Sequence, residues 1–188
     1  MPFTPLHIPV AFATWILFKR RLPLAPLVLA NMLPDLEVPF IYILSRIGLI
    51  RVDSVIVDRL VLHSIMGGLI LTPIILMILY PFYTRIIKSI IGVECVRISS
   101  TKLVIAGSIG GLSHVLLDAV HHPYNPLLFP LTSATVNSLI IGDYQVTGIV
   151  LHIVFAIILI GLFVYGYLRY GGVKVAIGFI LGCNPKVN

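Results

Sequence analysis

The sequence predicts an all-α, multi-span integral membrane helical bundle, and three observations predict it. Of 188 residues, 59% are hydrophobic and only 11% charged, whereas soluble domains average about 45–50% apolar and about 25% charged. Mean hydropathy is +1.08. Long apolar runs alternate with connections that carry most of the basic residues. Lipid admits only helices and closed barrels, and these runs are too long and too unalternating for barrel strands. The length leaves room for a single membrane-embedded domain, 1–188, with no separate soluble module.

The elements follow in order. Residues 6 to 18 form an apolar run ended by Lys19-Arg20-Arg21, and a second run from Leu24 reaches Pro34-Asp35. Each falls short of the roughly 20 residues that cross a bilayer. Either they are tilted or half-inserted helices or, the reading favoured here, the second continues past a kink at Pro34 to about Ile50, with Pro39 as a further irregularity. A polar connection from Arg51 to Arg59 leads to the clearest span, Leu60 to about Phe82, interrupted at Pro73. The next connection holds Arg85, Lys88, Arg97 and Lys102, and a fourth segment runs from Leu103 to His121-His122. Its Gly107, Gly110 and Gly111 offer a small-residue face for close approach of another helix. The loop from Pro123 to Gln145 contains no Lys or Arg, and a last span runs from Val146 to Leu168.

Charge placement sets the expected topology. The stretches 19 to 21, 85 to 102 and 169 onward hold ten of the thirteen basic residues, which by the positive-inside rule gives five crossings with the N-terminus outside. The opening Met1-Pro2-Phe3-Thr4-Pro5 lacks a basic leader region, so a cleaved signal peptide is not expected. The net charge of +6 reads as topology and as contact with anionic head groups, not as a nucleic-acid surface. Cys95 and Cys183 lie far apart and fit neither a metal spacing nor a disulfide framework.

Chemistry is concentrated in a few polar residues set in apolar sequence. His114 and Asp118, four residues apart, share one face of the fourth helix and can share one ligand. Burying them is costly unless they pair with each other or with a cation. On the five-span topology His7 and His63 reach a similar depth on two other helices; Asp35 fits by its setting, Asn31-Met32-Leu33-Pro34-Asp35-Leu36-Glu37, rather than by depth. A mixed imidazole and carboxylate set suits a divalent metal ion, zinc first, with manganese or iron as alternatives. Each group also has a plainer reading. His114 with Asp118 would serve as a structural pair, His121-His122 as a helix end at the interface, and His152 as a satisfied core histidine.

Four strings carry a family resemblance: Met-Pro-Phe-Thr-Pro-x-His at the start, Leu-Pro-Asp-Leu-Glu at 33 to 37, Asp58-Arg59-Leu60-Val61-Leu62-His63-Ser64, and Gly111-x-Ser-His-x-x-Leu-Asp118. Together, over residues 1 to about 132, they resemble the YdjM-like family, a group classed as inner-membrane-associated metal-dependent hydrolases. The resemblance implies metal-binding roles for His7, Asp35, His63, His114 and Asp118. Where the family often has His-Arg-x-x-x-His-Ser this chain has Asp58 first, and where it often has Pro-Asp-x-Asp this chain has Glu37. The family's ligand pattern is similar to that of zinc-dependent phospholipase C and P1-type nucleases, which makes a phosphoester the expected substrate.

The expectation is thus a metal-dependent hydrolase of the inner (cytoplasmic) membrane, with Asp58, Glu37 or His121 as base or acid beside the ligands. A lipid or lipid-linked phosphate would reach it from the bilayer, with Tyr124 at the interface. The alternative is a cation or proton carrier using the same His/Asp cluster as a relay. A third reading is an assembly factor whose polar residues hold helices together.

Overall fold

The computed structural model describes residues 4–49, 61–123, 125–132 and 134–183. Its described elements are helical: α1 (Ile8–Leu17), α2 (Leu24–Met32), α3 (Glu37–Arg46), α4 (Thr72–Ile91), α5 (Ser100–His121), α6 (Tyr144–Tyr170) and α7 (Val173–Ile180). Short 3-10 turns at Thr4–His7 and Pro34–Leu36 precede α1 and α3, and a π-helical turn, Gly67–Leu71, leads into α4. Four stretches are long and apolar enough to cross a membrane: Leu24–Arg46, Gly67–Ile91, Ser100–His121 and Tyr144–Tyr170.

The expected first crossing is shorter than a span. The apolar helix Pro5–Leu17 reaches only about 20 Å at 1.5 Å per residue, against a hydrocarbon core of about 30 Å. α1 folds back on α2 through the turn at Phe18–Pro23, where Lys19 and Arg20 take positive φ and the Arg20 guanidinium lies 5.0 Å over the Trp15 ring. The second segment is bent as expected, with the 3-10 turn at Pro34 separating α2 from α3.

α4 differs from its expected bounds at both ends. It continues to Ile91, taking in Arg85 and Lys88, because nothing breaks the helix until Gly92, which ends it at φ +78°. At the other end Ser64 acts as the cap: its Oγ accepts from Gly67 N at 2.9 Å and its carbonyl from Gly68 N at 2.8 Å. Pro73 sits just after the π turn, and the interruption expected there is that turn. Ser108 Oγ donates to Leu69 O at 2.7 Å, so α5 satisfies one carbonyl of the widened turn.

α5 is the axis of the bundle, packed against α2 on one side and α4 on the other. Its glycines make this possible. A Cβ at Gly110 would stand 2.6 Å from Ala30 Cβ, and one at Gly111 would stand 2.5 Å from Gly68 O and 2.8 Å from Thr72 Oγ1. Gly107 meets Pro73 equally closely, at 2.7 Å. Around these crossings Leu24, Leu27 and Val28 pack with Phe12, Trp15, Ala106 and Phe179, and Leu33 with Leu76, Tyr80 and Leu103. Gly111→Val should destabilise the protein by roughly 1–3 kcal/mol, the usual cost of overpacking. Thermal unfolding in detergent checks this, and an unchanged midpoint would refute backbone contact at that crossing.

The cysteines are paired, contrary to the expectation from spacing. Cys95 and Cys183 form a disulfide across a separation of 88 residues, with Cα atoms 4.1 Å apart. Chain distance hides this pair; the packing of α7 beside α4 brings it together. α6 lies at the edge of the bundle. Apart from Gly166 its side chains are exposed or half-buried, and Ile149, Ile153, Ile157, Ile160 and Leu168 are all exposed, as on a lipid-facing helix.

Candidate metal centre

The half-length hairpin explains how Asp35 reaches the site. α1 and α2 have 10 and 9 residues, so His7, just before α1, and Asp35, just after α2, return to the same level. α5 brings His114 and Asp118 one turn apart, and the turn before the π segment brings His63. His7, His63 and His114 are fully buried, Asp118 is 1% exposed and Asp35 8%.

The tips converge. His114 Nε2 is 3.6 Å from both Asp35 Oδ1 and Asp118 Oδ2. His63 Nε2 is 3.9 Å from Asp35 Oδ1 and 3.7 Å from Asp118 Oδ2. His7 Nε2 faces the opposite oxygens, 3.7 Å from Asp35 Oδ2 and 3.9 Å from Asp118 Oδ1. The His7 and His114 rings stack with centroids 4.0 Å apart. Asp35, His63, His114 and Asp118 each offer a ligand atom within 4.8 Å of the others. All five residues expected to bind metal are therefore brought together.

The outward ring nitrogens fix the roles of the inward ones. His114 Nδ1 is 2.7 Å from Asn31 O, and His121 Nδ1 is 2.8 Å from Leu117 O. His63 Nδ1 is 3.0 Å from Glu37 Oε2. Carbonyl and carboxylate oxygens only accept, so each Nδ1 carries the proton and donates. In the neutral imidazole that leaves Nε2 with a lone pair, aimed at carboxylate oxygens at distances too long for hydrogen bonds. Lone pairs facing lone pairs in a buried site repel unless a cation lies between them. Ligands about 2.0–2.2 Å from a tetrahedral zinc stand roughly 3.3–3.5 Å apart, close to the 3.6–3.9 Å seen here. His7 adds a further sign: neither of its ring nitrogens has a hydrogen-bond partner among the described residues.

The residues expected to act as acid or base are placed differently from one another. Glu37 is 8% exposed and clamps the segment leading to His63, accepting from Val61 N at 2.6 Å and from Leu62 N at 3.1 and 3.2 Å as well as bonding His63 Nδ1. It touches the ring nitrogen remote from the other ligands. His121, read in one view as a helix end at the interface, is instead 1% exposed, with Nε2 3.9 Å from Asp118 Oδ1. Its helix end is covered because Asn125 folds back, Nδ2 donating to Asp118 O at 2.9 Å and to His122 O at 2.8 Å. Asp118, His121 and His122 form a second group of possible ligands. Asp58 and Tyr124 lie outside the described residues. His152 is half-buried on α6, bonded through Nδ1 to Gly148 O at 2.6 Å.

Sequence reasoning missed Asn31 and Asn125. Both are buried amides, 0% and 1% exposed, beside the ligands. Asn31 spends its side chain on Leu27 O and Ser113 Oγ while its carbonyl orients His114. An amide in an apolar helix four residues before Asp35 was the available signal.

Fold and site together define a multi-span helical membrane protein with a buried His/Asp cluster that could hold a metal ion. The lipid-facing surface of α6 and the four membrane-length helices place it in a lipid environment. The chain belongs to the YdjM inner membrane protein family, whose model matches residues 1–183, and it is an integral inner-membrane protein. No curated protein and no solved structure matches it.

Proposed function

We propose that the protein is a metal-dependent hydrolase acting on phosphoesters, lipid-linked ones included, from within the membrane. The observation that carries this is the convergence of proton-free Nε2 atoms on the Asp35 and Asp118 carboxylates inside a buried site. Those residues fit a divalent ion, zinc or manganese by the donor set. When bound, such an ion acidifies a coordinated water and polarises a phosphoryl or carbonyl oxygen.

The chain's own residues supply placement. Asn31 O holds the His114 ring and Glu37 holds that of His63, so both Nε2 atoms are aimed before any ligand arrives. The burial of His7, His63 and His114 keeps bulk water from the reacting centre. Asp35, at 8%, is the most exposed of the five proposed ligands, and the exposed apolar side chains of Leu36 and Phe40 follow it in the chain. Acyl chains can lie along that edge while a head-group phosphate meets the site.

A chromogenic phosphodiester and a phospholipid presented in detergent test the reading. Wild type should turn over at least one of them, lose activity to a chelator, and regain it with zinc or manganese. Glu37→Gln should weaken metal affinity by about 10–100-fold while excess metal restores the rate, as for a residue that orients a ligand. Tightly held metal with no phosphoester turnover, alongside cation uptake into proteoliposomes, would overturn the hydrolase in favour of the carrier.

A further inference from the structure

Both carboxylates of the centre are divided between two sets of histidines. Asp118 Oδ2 faces His63 and His114, at 3.7 and 3.6 Å, whereas its Oδ1 faces His7 and His121, each at 3.9 Å. Asp35 repeats the division: Oδ1 stands toward His63 and His114, at 3.9 and 3.6 Å, and Oδ2 toward His7, at 3.7 Å. Asp35, His63, His114 and Asp118 form one set of ligand atoms within 4.8 Å of one another; beside it His7, stacked on His114, meets the second oxygen of each carboxylate, and His121 meets that of Asp118. His122, whose ring centroid is 4.2 Å from that of His121, adjoins the second set.

A single ion in the first set would use His63, His114 and one oxygen of each carboxylate. It would leave His7 without a task, although His7 is fully buried, lacks hydrogen-bond partners among the described residues and is aimed at the two remaining oxygens. We infer that the centre is built for two divalent ions bridged by the Asp35 and Asp118 carboxylates, one held by His63 and His114, the other by His7 and His121. This rests on the metal-centre reading above and extends it.

The test uses the full chain purified in detergent, stripped by chelation and titrated with manganese(II) alone. Elemental analysis should find about two ions per chain. Carboxylate-bridged ions stand about 3.5–4 Å apart in two-metal sites, close enough for exchange coupling, so the electron paramagnetic resonance spectrum should be that of a coupled pair. His7→Gln with His121→Gln should reduce the count to about one and restore an isolated-ion spectrum, and His63→Gln with His114→Gln should do the same. About one ion in wild type, with an uncoupled spectrum, overturns the pair and leaves the metal reading standing. Metal-free wild type overturns both. If the double variants do not fold, the wild-type count and spectrum decide alone.

Discussion

Asp118→Ala is expected to abolish the metal binding proposed for this site. The carboxylate faces four imidazoles, those of His7, His63, His114 and His121, at 3.6–3.9 Å, whereas Asp35 faces three of them. The measurable consequence extends to stability. A ligand present at about 1,000 times its dissociation constant stabilises the folded state by about 4 kcal/mol. Wild type should therefore unfold at a higher temperature with zinc or manganese than after chelation, and Asp118→Ala should show no such difference. Asp118→Asn, which keeps the shape, separates loss of charge from loss of packing. A variant that keeps wild-type metal content would remove the central ligand from the scheme.

The second large effect is expected at the opposite end of α5. The Cys95–Cys183 bond closes a loop of 88 residues, which in the chain-entropy picture is worth about 4–5 kcal/mol against the unfolded chain. Cys183→Ser, or reduction of wild type, should lower the unfolding midpoint markedly without changing metal content. Cys95 and Cys183 belong to the packing around Tyr80, Ile87 and Leu103, remote in the chain from every proposed ligand. A reduced protein as stable as the oxidised one would show that packing alone holds these segments.

The two ends of the molecule were not equally legible in the sequence. α5 and α6 follow from long apolar runs bounded by charge or polar loops; the end of α5 falls at His121 as expected, and the other ends differ from the expected ones by two or three residues. The end of α4 was hidden because Arg85 and Lys88 read as loop, whereas long basic side chains tolerate a helix end near the interface. The site was legible as a set of residue types, since ionisable groups in apolar sequence need a partner. Its geometry is not: Asp35 falls too deep in the membrane if the segment before it is a full crossing. Only the short α1–α2 hairpin makes its level match that of His7. The pairing of cysteines 88 residues apart depends on where α7 packs, which no local pattern encodes.

α5 has 22 residues and so separates its ends by about 33 Å, the thickness of a bilayer's hydrocarbon core. The disulfide packs with Leu103, toward the Ser100 end, and the His/Asp cluster lies at the His121 end. In a sealed vesicle the sulfur pair and the His/Asp cluster are thus expected to answer to different compartments. A reductant that cannot cross the bilayer and a chelator that cannot cross it act from opposite faces, and the pair of responses reports which way the chain is inserted.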